Sequence, residues 1–343
     1  MIAARVCAVA LAALATAGAG SGATGLSVRV DGNRLVDARG HPLRLLGVNH
    51  SSLEYMCVSA RAVLADGPID ARAIAAMKTW RINAVRVALN EACWLGINGA
   101  KPGGPAYRRG VAAYVSHLHA AGLIVILELH FNAPGALPAK GQQVMPDADH
   151  TPAFWTSVAR TFRHDRALIL DLYNEPHDIS WRCWRDGCRT ADGWQAAGMQ
   201  TLVKTVRASG FHGPIMLGGI AWSNDLTQWL RWRPADPDRQ LIASFHLYDF
   251  TGCANEDCWN GTIAPVAKVV PVVTGEVGEK DCAHGFIDSY MAWADAHGIS
   301  YLGWTWNVWD CRAGPALISA WDGTPTSFGI GFRDHLAAIS RAS

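Results

Sequence analysis

Ile169-Leu170-Asp171-Leu172-Tyr173-Asn174-Glu175 is a short, almost wholly apolar run that turns polar at its end and is halted by Pro176. Such a segment predicts a strand buried on both faces, because a half-exposed strand would alternate apolar and polar residues. Runs of the same kind recur on either side of it: Leu45–His50, Ala84–Leu89, Ile124–His130, Ile215–Gly219, Leu241–Tyr248, Pro271–Val277 and Tyr301–Asn307. Their ends fall near residues 50, 89, 130, 176, 219, 248, 278 and 307, which leaves room in every interval for a loop, a helix and a return.

The intervals carry helical periodicity. Val111, Tyr114, Val115 and Leu118 repeat as i, i+3, i+4 and i+7 within Tyr107–Ala121, and Gly122 stands where a C-terminal cap belongs. Asp70–Trp80, Pro152–His164, Trp194–Ala208 and Gly285–His297 read the same way. Eight strand-helix units predict an α/β fold of the (β/α)8 TIM-barrel type, with Leu26–Leu46 forming a hairpin around Asp31-Gly32-Asn33 that caps the barrel bottom. A doubly wound sheet is the competing fold. It requires a glycine-rich phosphate loop after the first strand, and Gly47-Val-Asn-His-Ser-Ser has no such spacing.

Of the 343 residues half are hydrophobic and 17% are charged, with a formal net charge of +1. Those values exclude a disordered chain and general electrostatic binding to nucleic acid. Residues 1–23 read as a secretory signal, with Arg5 before the apolar stretch Val6–Ala17 and small residues following, so that 24–343 form one catalytic domain with no membrane attachment after cleavage. The Ala, Arg and Gly bias points to a bacterial source; with the signal, the expectation is a secreted protein, extracellular or periplasmic, and a monomer. Cleavage removes Cys7 and leaves eight cysteines, an even set that reads as disulfides. Cys183 with Cys188 and Cys253 with Cys258 are local clips. Among the many possible connectivities, proximity of neighbouring strand ends favours Cys57 with Cys93 and Cys282 with Cys311.

In a barrel the chemistry gathers at the C-terminal ends of the strands. Polar residues there are His50, Arg86, Asn90, His130, Asn174, Glu175, His246, Tyr248, Glu276, Trp306 and Asn307. Glu175 and Glu276 each terminate a strongly apolar strand, and two carboxyl groups facing one another across a cleft are the minimum apparatus for glycoside hydrolysis. Tryptophan outnumbers both tyrosine and phenylalanine, and indoles are platforms for sugar rings. Trp94, Trp181, Trp184, Trp222, Trp259 and Trp309 fall in loops on the catalytic side, at least half of them expected in ordinary packing.

Asn174-Glu175-Pro176 on the fourth strand, Glu276 on the seventh, Arg86 on the second, His130 on the third, His246-Leu-Tyr248 on the sixth and Trp306 on the eighth together resemble glycoside hydrolase family 5, the cellulase-type branch of clan A. The resemblance covers the whole mature chain. It implies Glu175 as acid/base, Glu276 as nucleophile, Asn174 as partner of the sugar 2-hydroxyl and Trp306 as the floor of the subsite beside the nucleophile. Arg86, His130, His246, Tyr248, His50 and Trp222 would support them or bind substrate. The function expected is a retaining β-glycosidase acting on a β-linked oligo- or polysaccharide, with endo-β-1,4-glucanase placed first and β-mannanase or an exo-acting β-glucosidase as alternatives, needing no cofactor or metal. One rival is a metal-dependent barrel hydrolase using His50, His130 and His246, though the first strand lacks a His-x-His pair. The other is a catalytically inactive carbohydrate-binding barrel.

Overall fold

The computed structural model describes residues 25–311 and 314–342; the expected signal segment lies outside them. Strands β1 (Arg29–Asp31), β2 (Arg34–Val36) and β3 (Pro42–Leu43) form a small antiparallel sheet that turns at Gly32. Eight parallel strands then close a barrel: β4 (Leu46–His50), β5 (Ala84–Asn90), β6 (Ile124–Phe131), β7 (Leu168–Asp171), β8 (Ile215–Gly218), β9 (Leu241–Tyr248), β10 (Val272–Gly278) and β11 (Ser300–Gly303). The lead-in does cap the bottom. Val28, Val30 and Leu35 pack with Leu45, Ile126, Ile169, Met216, Ile242, Val273 and Leu302, which point into the lower barrel.

Alternation along the strands sets the character of the next layer, above that apolar plug. Residues two positions further on from Leu45, Ala84, Ile126, Ile169 and Ile242 are Gly47, Arg86, Glu128, Asp171 and Ser244, so the barrel interior becomes polar toward its C-terminal mouth. Gly47 has no substitute, since a Cβ there would lie 2.1 Å from the Ala84 carbonyl oxygen. The intervening residues, Val48, Val85, Val87, Leu127, Leu170 and Val277 among them, pack outward against the helix layer.

Strand β10 breaks the alternation. Thr274 pairs with Phe245 but Glu276 pairs with His246, so Gly275 is an extra residue in a bulge. Without it, Val273 pointing inward would send Glu276 out to the helices; the bulge turns Glu276 into the barrel. Glycine is required at this point because a Cβ would come within 2.8 Å of the His246 ring and the Ser244 hydroxyl.

The predicted helices form at Ala71–Thr79, Pro105–Ala120, Thr151–Thr161, Met199–Ala208 and Gly285–Ala296. The fourth begins at Met199 rather than Trp194. Residues ahead of it fold back on the Cys183–Cys188 loop, where Gly198 lies so close to Gly187 that a Cβ would meet its nitrogen at 2.3 Å. All four disulfides join as expected: Cys57–Cys93, Cys183–Cys188, Cys253–Cys258 and Cys282–Cys311. Among the described residues no helix is long and apolar enough to cross a membrane.

Candidate active site

Arg86 on β5 organises the mouth of the barrel. Fully buried, it donates from Nε to Asp171 Oδ2 (2.9 Å), from Nη1 to Glu276 Oε1 (2.8 Å) and Asn49 Oδ1 (3.0 Å), and from Nη2 to Asn174 Oδ1 (2.9 Å). Burial opposes its charge, but Glu128, Asp171 and Glu276 around it hold the guanidinium firmly protonated. The planar fork suits this task because each nitrogen faces a different acceptor. Glu276 is further fixed by the Tyr248 hydroxyl, which donates to Oε2 at 2.5 Å. Two donors, one on each oxygen, leave this carboxylate aimed along one direction.

Glu175 meets a different environment. Its side chain is only 16% exposed, and burial raises its carboxyl to about pH 7, against the opposing influence of His130 and Arg86. His246 Nδ1 lies 2.9 Å from Glu175 Oε1 and 3.6 Å from Glu276 Oε2. Burial lowers the pKa of this imidazole to about 4, so it is neutral and separates the two carboxyls without adding charge. An oxygen of Glu175 and an oxygen of Glu276 approach within 4.8 Å. A pair this close is in keeping with retaining glycosidases, whose carboxyl groups stand ~5–5.5 Å apart, against ~6.5–9.5 Å in inverting ones. Two carboxyls so placed, one with its pKa raised by burial and one held by two donors, can deliver a proton to a leaving oxygen while attacking the adjacent carbon.

Above them lies a cleft of about 530 Å³ lined by His130, Asn174, Glu175, Trp222, Tyr248, Phe250, Glu276 and Trp304. Of the expected site residues, Arg86, His130, Asn174, Glu175, His246, Tyr248, Glu276 and Trp222 are brought together here. His130 is a cation: burial disfavours its charge, but Glu128, 3.0 Å away, together with Glu54 and Glu276 raises its pKa to about 9. Its ring stacks on Trp304, with centroids 5.6 Å apart at 19°.

Two expectations are corrected. Trp306 is not a subsite floor, because it is 0% exposed and packed edge-on to Trp80 at 5.0 Å. The eighth strand stops at Gly303, not at Asn307, so the first aromatic beyond the inward-facing Leu302 is Trp304, and it is Trp304 that lines the cleft. His50 is likewise turned away. On β4 the inward residue is Asn49, while His50 faces the helix layer, where its Nδ1 meets the Tyr114 hydroxyl at 2.5 Å. Three histidines therefore do not converge in the cleft, and the metal-dependent alternative loses its proposed ligand set.

Trp222 does stand in the cleft, 47% exposed, with His177 stacked flat beneath it at 3.6 Å. Ala221, Trp222 and Ser223 all have left-handed backbones, and the strained turn is held by Trp222 N donating to Pro176 O and Ser223 Oγ donating to Asn174 O. Trp94, Trp181, Trp184 and Trp259 are buried packing residues, as expected of at least half of the loop set. Sequence reasoning missed Asn49, Glu128, Asp171, His177, Phe250 and Trp304; of Gln142 it offered only a long polar loop suited to sugar hydroxyls. Charges at 128 and 171 inside otherwise apolar runs were the one available signal.

The cellulase model of glycosyl hydrolase family 5 matches residues 36–310. A mannan endo-1,4-beta-mannosidase from Streptomyces lividans is 26% identical over 304 residues, 85% of this chain and 69% of that protein. Endoglucanase MaCel5A from a Microbulbifer species is 21% identical over 321 residues, 89% of this chain and 55% of that protein. Among solved structures, the hyperthermophilic endocellulase of the archaeon Pyrococcus horikoshii superposes with a TM-score of 0.70 at 18% identity, covering 91% of this chain and 99% of that one. With the match spanning most of the chain, and the barrel and its paired carboxyls in agreement with it, the protein belongs to glycoside hydrolase family 5.

Proposed function

We propose that the protein is a retaining endo-β-1,4-glucanase in which Glu276 is the nucleophile and Glu175 the acid/base. The observation that carries this reading is the pair itself: two carboxyls with oxygens within 4.8 Å, one held by Arg86 and Tyr248, the other raised to about pH 7 by burial. In the first half-reaction Glu276 forms a bond to the anomeric carbon, the glycosidic C–O bond breaks, and Glu175 gives its proton to the departing oxygen. Loss of the Glu276 charge then lets Glu175 act as base: it takes a proton from water, whose oxygen attacks the anomeric carbon and displaces Glu276. Asn174, fixed by Arg86, presents its amide toward the position of the sugar 2-hydroxyl.

Glucan is placed first because the cleft is walled by ring faces. Trp304, Trp222 and Phe250, the last stacked on Tyr248, present flat apolar surfaces. Every hydroxyl of β-1,4-linked glucose is equatorial, so both faces of each ring are C–H surfaces able to stack on them. Mannan is the second reading, supported by the S. lividans mannosidase, the relative of 26% identity. Export through residues 1–23 accords with four disulfides, which persist in oxidising compartments. Hydrolysis of soluble β-1,4-glucan and of β-mannan with product sizing tests the assignment. A ladder of short oligosaccharides from glucan is expected; faster turnover of mannan would transfer the substrate, and release of single sugars alone would replace endo by exo action.

A further inference from the structure

The loop following β6 sets one side chain, Gln142, against Asn174 and Glu175 in the segment that follows β7. Its Nε2 donates to the Glu175 carbonyl at 2.9 Å and lies 3.3 Å from Glu175 Oε2, while its Oε1 accepts from Asn174 Nδ2 at 2.7 Å. The opposite ends of both partners are also held, Asn174 Oδ1 by Arg86 and Glu175 Oε1 by His246. A single primary amide thus closes a chain that runs from Arg86 through Asn174 to Glu175.

We propose that Gln142 is a positioning residue of the reaction, its amide fixing the Glu175 carboxyl and the Asn174 amide in one register; the proposal rests on Glu175 being the acid/base. The amide N–H can only donate, so at Oε2 it favours the carboxylate, the state in which Glu175 must draw a proton from water in the second half-reaction. Accepting one Asn174 N–H with its oxygen, it leaves the second N–H of that amide free for substrate.

The loop is built to hold Gln142 still. The Tyr173 hydroxyl donates to Gln143 O at 2.6 Å, His177 N to Val144 O at 3.1 Å, Asn132 Nδ2 to Met145 O at 3.1 Å, and Ala197 N to Pro146 O at 2.8 Å. Four successive carbonyls after Gln142 are therefore tied to fixed elements. The entropy of ordering the loop is spent in folding rather than in each turnover.

Gln142→Met keeps the length of the side chain and removes both hydrogen-bonding groups. In this variant the alkaline limb of kcat/KM is expected to move up by about half to one pH unit, because the acid loses a donor to its anion. On an aryl β-glycoside with a dinitrophenolate leaving group, where departure needs no acid and hydrolysis of the intermediate limits turnover, kcat should fall about 5- to 20-fold. Gln142→Glu, equally long and polar, should raise the limb further by facing Glu175 with a second carboxyl. An unmoved limb in both variants, or a loss uniform across pH that tracks a lower melting temperature, overturns the proposal and leaves Gln142 a loop tie. Product configuration of the unmodified enzyme, read on the same preparation, separates failure of this proposal from failure of the retaining mechanism.

Discussion

Replacing Trp304 and Trp306 in turn by alanine should give opposite results, although the two residues are separated by a single threonine. Trp306 is wholly buried against Trp80, with Gly323 packed over its ring. A buried tryptophan covers roughly 200 Å² or more, which at ~25 cal/mol per Å² is about 5 kcal/mol. Measured truncations of such residues cost about 3–5 kcal/mol, and in a chain of this size that lowers the melting temperature by about 5–8 °C. Trp304 stands partly exposed at the cleft, stacked on His130, so its loss should cost about 1 kcal/mol of stability. It should instead lower kcat/KM about 10- to 100-fold, the equivalent of ~1.5–3 kcal/mol for one aromatic platform. Thermal melting by circular dichroism together with steady-state kinetics on a soluble glucan below the melting range reads both quantities. Unchanged melting with abolished catalysis in Trp306→Ala, and near-normal catalysis in Trp304→Ala, would refute the reasoning and return Trp306 to the cleft.

The pH dependence follows from Glu175. A proton donor must carry its proton, and burial raises this carboxyl to about 7, so kcat/KM is full below that value and declines as pH rises through it. In Glu175→Ala the limb should vanish, and kcat/KM, which reports glycosylation, should survive on dinitrophenyl glycosides while being lost on polysaccharide; a limb that persists assigns it to another group. Arg86→Lys keeps the charge but cannot reach Asp171, Asn49, Glu276 and Asn174 together, so kcat/KM should fall about 100-fold. Activity within a few-fold of the parent would mean that charge alone suffices there.

The barrel was legible because strands covered on both faces announce themselves as unbroken apolar runs, and the two glutamates because each interrupts such a run at its end. Errors arose where position within a strand decides the outcome. Asn49 and His50 both end β4, yet only one can face the axis, and the apolar residues before them on a two-sided strand carry no record of which. Trp304 and Trp306 were separated only by where the ladder stops, and strand ends are the least determined feature of an apolar run. The Gly275 bulge that brings Glu276 inward is a matter of register with Phe245 and His246, invisible without the neighbouring strand. Gln142 sits in a loop that has no period to read, placed by carbonyls tied to distant residues; Trp222 was legible as a loop tryptophan on the catalytic side, but the three consecutive left-handed residues that place it were not.

Double displacement by Glu175 and Glu276 is tested most directly by early-time proton NMR of the anomeric signals during cleavage of a soluble β-1,4-linked substrate. With carboxyl oxygens within 4.8 Å of one another, the first product to accumulate should be the β-anomer, the configuration of the bond cleaved, with α appearing only through mutarotation. Initial accumulation of the α-anomer would contradict the double displacement, since inversion requires water to attack the anomeric carbon directly from the face that Glu276 occupies.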